Sequence, residues 1–379
     1  MLADPRVFPS PGEADAQSRA LHELAARSLG AATGVRAESC DADIAARLHA
    51  MVDRRDGAAL ERALASSPSA AIHRHLWRAL DAALDVAQSS ALGPVLFALP
   101  VVIVAASDDA DEHAIDAIVE NPAELAAILA EHGALGGHRQ FALSGALCAA
   151  QAIDVRALPA LLHASTRADD GAVRAPLDLA PSPLVALPGA ERVHLRFLVG
   201  SALASRPSAL WREASVGAWG VPLTRALSRA LAVRGASLVA MPRSPQSLVA
   251  AVASGRAVQR EASAALFASD AIRRLRGTVG EPVAVISAHR VPGVPAGGEV
   301  RLSLSSVLEP RDAQGFRCPL SPLDTVAGVV AMLEQLVRDC RVADVRFVAG
   351  VHPDRDPATG ATLLFKPDTV PPGAAMPVH

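Results

Sequence analysis

The chain contains no tyrosine, and a single lysine, Lys366, accompanies the arginines among its 36 basic residues. Each shortage removes a class of chemistry. A P-loop needs a lysine to grip the phosphates, and the only one sits in Leu-Phe-Lys366-Pro-Asp, beside a proline and outside any glycine-rich loop. The same position argues against Schiff-base catalysis. Aromatic residues make up 3% of the chain, too few for a platform on which bases could stack. The four cysteines, Cys40, Cys148, Cys318 and Cys340, lie far apart, with no C-x-x-C pair and no histidines at finger spacing. No metal and no cofactor is therefore expected. No G-x-S-x-G elbow, H-E-x-x-H helix or EF-hand loop occurs, and the Gly133/Gly136/Gly137 cluster follows a helical pattern where a dinucleotide fold requires a strand.

Charge of one sign is also missing. A formal net charge of −3 over 379 residues supplies no field for nucleic acid or for an anionic membrane. The Met-Leu-Ala-Asp-Pro-Arg start has neither a basic nor an apolar leader pattern, so a soluble, cytoplasmic, reduced protein is expected. The one long apolar run, ALGPVLFALPVVIVAA over 91–106, is shorter than the about 20 residues of a membrane span and is broken by Pro94 and Pro100. Its β-branched end, Val101–Val104, reads as a strand buried on both faces.

What is present is alternation of helical and strand-like patterns. Apolar residues recur at helical spacing through Leu21, Leu24, Leu29, Ile44, Leu48, Met51, Leu60, Leu64, Leu76, Leu80 and Leu84. Within the last of these stretches, His73 and His75 splay about 200° apart on a helix and do not form a metal pair. Three segments pair a capping residue with proline: Asn121-Pro122-Ala123-Glu124, Ser244-Pro245-Gln246-Ser247 and Ser321-Pro322-Leu323-Asp324. Each is expected to open a helix. The second half carries strand patterns at 192–199, 236–241, 282–290, 299–307, 344–351 and 361–365, the last two joined as a hairpin. The first of these alternates, with apolar odd positions, as a half-exposed strand would.

These patterns give an α/β or α+β fold: a helix-rich N-terminal half with a buried strand, then a mixed α+β C-terminal half. The expected organisation is a flexible arm at 1–15, a helix-rich domain at 16–165, and a Pro/Gly-rich linker or crossing loop at 166–190. An α+β domain at 191–367 and a disordered tail at 368–379 complete it.

Three polar clusters follow expected strands: Asp108/Asp109/Asp111, Ser287/His289/Arg290 and His352/Asp354/Arg355/Asp356. Ligands collect at strand ends in open sheets, so His289, Arg290, His352, Asp354 and Asp356 are the catalytic candidates. Polar loops are common, however, and Asp356-Pro357-Ala358-Thr359-Gly360 is ordinary turn chemistry. Leu195-Arg196-Phe197-Leu198-Val199-Gly200, Leu210-Trp211-Arg212-Glu213, Trp219 and Gly360-Ala361-Thr362-Leu363-Leu364-Phe365 resemble a family of conserved proteobacterial proteins of unknown function. Its members resemble one another in a cysteine pair before the Gly-Ala-x-Leu segment, where this chain has Asp354 and Asp356. The resemblance implies no activity.

The expectation is a non-catalytic interaction or regulatory protein, with a protein partner or self-association through Trp211 and Trp219, and with neither nucleic acid nor membrane. The alternative is an enzyme acting on an anionic small molecule through the strand-end cluster. That alternative requires His289 and His352 within about 10 Å of each other in one pocket.

Overall fold

A computed structural model describes residues 11–31, 34–87, 93–135, 141–166, 179–204, 210, 216–278, 280–291, 298–306, 308 and 313–370. Four helices lead: α1 (Pro11–Leu29), α2 (Gly34–Asp53), α3 (Gly57–Ala65) and α4 (Ala70–Ala87). Their apolar stripes meet at Leu21, Ile44, Leu48, Leu60, Leu76 and Leu80, all fully buried. Leu29 departs from the stripe and is half exposed. Residues 11–15, expected in an arm, already belong to α1, and residues 1–10 lie outside the described residues.

The first sheet has the order β3-β5-β1-β6 and is antiparallel throughout. Its strands are β1 (Gly93–Ser107), β3 (Phe141–Cys148), β5 (Arg192–Ala204) and β6 (Ala236–Pro242); β2 (His113–Ile115) and β4 (Leu184–Ala186) pair separately. The apolar run is thus a central strand. Val95, Phe97, Leu99, Val101 and Ile103 face one layer; Leu96, Ala98 and Val102 face the helical bundle. Pro100 is tolerated there for a local reason. Its carbonyl accepts from Arg243 N at 2.8 Å, so its ring nitrogen faces the same side, where β6 has ended at Pro242.

Helices α5 (Pro122–Glu131) and α7 (Val216–Ala230) cover the outer face, while α1–α4, α6 (Leu158–Thr166) and the start of α8 (Leu248–Thr278) cover the inner one. β5 is not half exposed as its pattern suggested. Its polar positions are covered, His194 Nε2 donating to Val185 O at 2.8 Å and Arg196 Nε to Ser182 O at 3.0 Å. β5 also pairs with β1 from Arg192 to Ala204, so the first sheet is continuous across 166–190, of which 167–178 lie outside the described residues. The passage to the second sheet falls within α8.

That second sheet has the order β10-β7-β8-β9: β7 (Pro282–Arg290), β8 (Gly298–Ser306) and β9 (Gln314–Pro319) antiparallel, with β10 (Asp344–Pro353) parallel to β7. One face packs on the end of α8 and on α9 (Val326–Asp339), through Ile272, Leu275, Ile286, Leu302, Leu333 and Val337. The expected last strand at 361–365 does not form. Only Arg355 and Thr362 bridge, and 363–370 instead crosses the sheet's other face. Of the tail, Pro367–Thr369 makes a 3-10 turn and Val370 is buried; 371–379 lie outside the described residues.

Only the first cap-proline segment opens a helix. Asn121 Oδ1 accepts from Glu124 N at 3.3 Å. In the second, Gln246 bridges Ala98, and Ser247 is the cap, accepting from Ala250 N. In the third, the side chain of Thr325 caps α9, while Ser321–Asp324 is a turn. In both cases a competing side-chain oxygen nearer the apolar run takes the capping role. Among the described residues no helix is long and apolar enough to cross a membrane.

Gly200 lies opposite Phe97, where an added Cβ would stand 2.2 Å from the buried ring. Gly200→Ala is expected to cost about 1–3 kcal/mol in urea unfolding, because the ring has no room to retreat.

Candidate functional site

The parallel pairing of β10 with β7 places His352 in register with His289 and Pro353 with Arg290. The imidazole centroids are 6.0 Å apart, and Phe365 packs on both, at 6.0 Å from His289 and 4.7 Å from His352. His289 is fully buried; its Nδ1 donates to Pro353 O at 2.9 Å, and its Nε2 accepts from Ser287 Oγ at 2.8 Å. Burial pushes the imidazole below its ordinary value of 6.5. The Pro353 carbonyl opposes that shift, while the nearby Arg301 charge adds to it. His289 is therefore a neutral, fully bonded core residue.

Beside it lies an ionic cluster of which the sequence reading named only Asp354. Arg301, with no exposed surface, donates through Nε to Glu299 Oε1 and through one terminal nitrogen to the carbonyls of Asp354 and Leu363, both at 2.7 Å. Its other terminal nitrogen reaches the carboxylates of Glu299 and Asp354. Arg317 grips Glu299 at 3.0 Å and Asp354 at 3.4 Å. Two arginines thus balance two carboxylates, and the guanidinium of Arg301 has no donor left for a ligand. The signal was present in β8: Glu299, Arg301, Ser303 and Ser305 alternate with Val300, Leu302 and Leu304, which puts the polar set on one face.

The remaining candidates do not join this cluster. Arg290 is exposed at the end of β7. Asp356 closes its own turn, accepting from Ala358 N at 2.8 Å. The Asp108/Asp109/Asp111 loop belongs to the first sheet, where Asp109 approaches His113 at 3.7 Å and Asp108 N donates to Gly235 O. Trp219, expected at an interaction surface, is fully buried among Leu223, Leu227 and the outer face of the first sheet, so it is a core residue. Trp211 lies outside the described residues. Among the described residues no group of three or more His, Cys, Asp or Glu could hold a metal. The buried Cys318 thiol is pushed up to about 12 by desolvation, too high for a nucleophile.

The open concave surface lies elsewhere, along α8. Arg256, Gln259, Arg260, Ser263, Phe267 and Arg273 recur at helical spacing and face three adjoining cavities. The first, about 240 Å³, lies between α3, α4 and the β9–α9 turn; it shares Arg256, Leu320 and Pro322 with a middle cavity of about 510 Å³. That one shares Ser263 and Phe316 with a third, about 720 Å³, reaching Arg192 on β5. The middle cavity is lined by Arg256, Arg260 and Arg317 and by no acid. Arg260 is committed to Asp324, at 3.1 Å for one of its contacts, whereas Arg256 is exposed and pairs with no acid among the described residues. Phe267 and Phe316 stack at 5.3 Å where the middle and third cavities meet.

Comparisons with family models, with curated proteins and with solved structures found no match.

Two outcomes follow from the ionic cluster. Arg301→Met leaves Glu299 and Asp354 with the half-exposed Arg317 alone and is expected to cost about 3–5 kcal/mol in chemical denaturation, with faster proteolysis within 354–370. Burial lowers the proton affinity of folded His289 relative to the unfolded chain, so its contribution to stability falls as pH drops below about 6.5. His289→Gln is expected to flatten that slope in urea melts taken across the range; an unchanged slope contradicts the assignment.

Proposed function

We propose that the chain is a non-catalytic interaction protein that holds an extended, acidic segment of a partner protein in the trench along α8. One observation carries this reading: the middle of the trench is lined by three arginines and no acid, and although Arg260 is paired with Asp324 and Arg317 with Glu299 and Asp354, Arg256 is exposed and pairs with no acid among the described residues. From Arg256 to Arg273 the helix rises about 26 Å, the length of about eight residues of extended chain. The stacked Phe267 and Phe316 supply an apolar contact for alternate side chains of such a segment. Burial of Ser287, His289, Glu299 and Arg301, each with its polar atoms engaged, favours the same reading over catalysis. A reduced, cytoplasmic setting and the resemblance to the uncharacterised proteobacterial family belong to this proposal.

The reading as an enzyme on an anionic small molecule draws on one fact, the 6.0 Å separation of His289 and His352. It is the weaker of the two because Phe365 covers both rings and the neighbouring guanidinium is saturated.

The test is fluorescence anisotropy with labelled twelve-residue peptides of alternating acidic and apolar residues, against basic peptides of the same length. Binding of the acidic set alone is expected, weakened roughly tenfold or more by Arg256→Glu and by added salt. Equal binding of both sets, or indifference to Arg256→Glu, refutes the proposal.

A further inference from the structure

The trench runs along an open sheet edge. β9 lies at the end of the second sheet and, among the described residues, pairs only with β8, from Gln314 opposite Leu304 to Pro319 opposite Glu299. In an antiparallel ladder alternate residues turn both backbone groups towards the partner strand, and the others turn both away. Leu320 N donates to Gly298 O at 3.1 Å, one step beyond the Pro319–Glu299 pair, and Pro319 has no N–H to give to β8. Gln314, Phe316 and Cys318 therefore bond to β8, while Gly315, Arg317 and Pro319 turn outward. The Pro319 carbonyl is already taken, accepting from a terminal nitrogen of Arg260 at 3.1 Å. The backbone N–H and C=O of Gly315 and of Arg317, both exposed residues, meet no partner among the described residues. Free edges are commonly blunted by irregular pairing. At the other edge of this sheet β10 shifts register between Phe347 and Val351, whereas β9 keeps its register throughout. Phe316, Arg317 and Pro319 line the middle cavity, so the free edge and the trench are one surface.

We propose that an acidic segment of a partner protein binds as a fifth strand of the second sheet, pairing with β9 through the backbone of Gly315 and Arg317. The inference rests on the trench reading above and adds to it how the segment is held. An added strand lies about 4.8 Å from β9 and gives the outward N–H and C=O groups the partners they lack. Its alternate side chains face α8, where Arg256 is exposed and pairs with no acid among the described residues, and where no carboxylate lines the middle cavity. Charge also selects among occupants. Edge-to-edge pairing of two copies of this chain sets two β9 strands side by side, each carrying Arg317 and no acid.

Amide hydrogen exchange of the ¹⁵N-labelled full chain tests this, with and without a saturating twelve-residue peptide of alternating aspartate and valine. The Gly315 and Arg317 amides are expected to exchange fast in the free chain and roughly tenfold or more slowly in the complex, while Phe316, bonded to β8, is protected in both. Peptides N-methylated at every second residue give an independent readout by anisotropy. Methylation of one alternate set is expected to weaken binding roughly tenfold or more, and methylation of the other set to leave it within about twofold. Binding with unchanged exchange at Gly315 and Arg317, or equal effects of the two methylated sets, overturns strand addition and leaves the trench reading in place. Failure of the acidic peptide to bind removes both. Protection of the two amides without peptide, on raising the concentration of the chain, assigns the edge to a second copy and overturns the proposal.

Discussion

Everything in this molecule hangs on one helix serving two sheets. α8 runs for 31 residues, about 46 Å, and its first half packs Ala251 and Val252 into the inner core of the first sheet. Its second half packs Ala264, Ala268, Ala271 and Ile272 into the core of the second. Small residues make this possible. At Gly255 the helix comes so close to the first sheet that a Cβ would stand 3.0–3.2 Å from Leu195, Pro100 and Phe197. A further stripe of the same helix, Arg256 to Arg273, is left to line the trench. Two cores and a concave surface therefore share one helix, and a change in its axis is felt by all three.

The second sheet solves a different problem. Its inner face is an ordinary apolar core, but its outer face carries Glu299 and Arg301, which bury well only if something polar covers them. Residues 363–370 supply that cover. Leu363 O accepts from Arg301, Leu364 lies against Gly315, Phe365 lies on the two imidazoles, and Arg346 donates to Val370 O at 2.8 Å. A cluster that resembles catalytic machinery in its composition is thus the fastening of a strap, with each charge matched by a neighbour.

Much of the fold could be read from periodicity, and much of the site could not. The α1–α4 stripe, the buried apolar strand and the mixed second half are all written in apolar spacing, which burial enforces directly. Caps were legible only where one candidate existed. At Asn121 there was no competitor, whereas Ser247 and Thr325 displaced Ser244 and Ser321 because they stand nearer to the apolar run. The adjacency of His289 and His352 was suspected from strand ends, but the register that makes them neighbours comes from the crossover through α9, which no local pattern encodes. Arg301 went unnoticed for the same reason: its partners Asp354 and Leu363 lie 53 and 62 residues away. Trp219 is a core residue because α7 begins at Val216, ahead of it, and the helix carries its ring inward.

The strap also sets an order in time. Synthesis runs from the N-terminus, so β7 and β8 leave the ribosome with Glu299 and Arg301 in place well before Asp354 and Leu363 exist. Until those residues emerge, the guanidinium lacks two carbonyl acceptors and one carboxylate, and the outer face of the second sheet has only water to satisfy it. The first sheet, whose strands all precede α8, has no such dependence on the chain end. Residues 354–370 therefore close, late in synthesis, a face that β7 and β8 leave open.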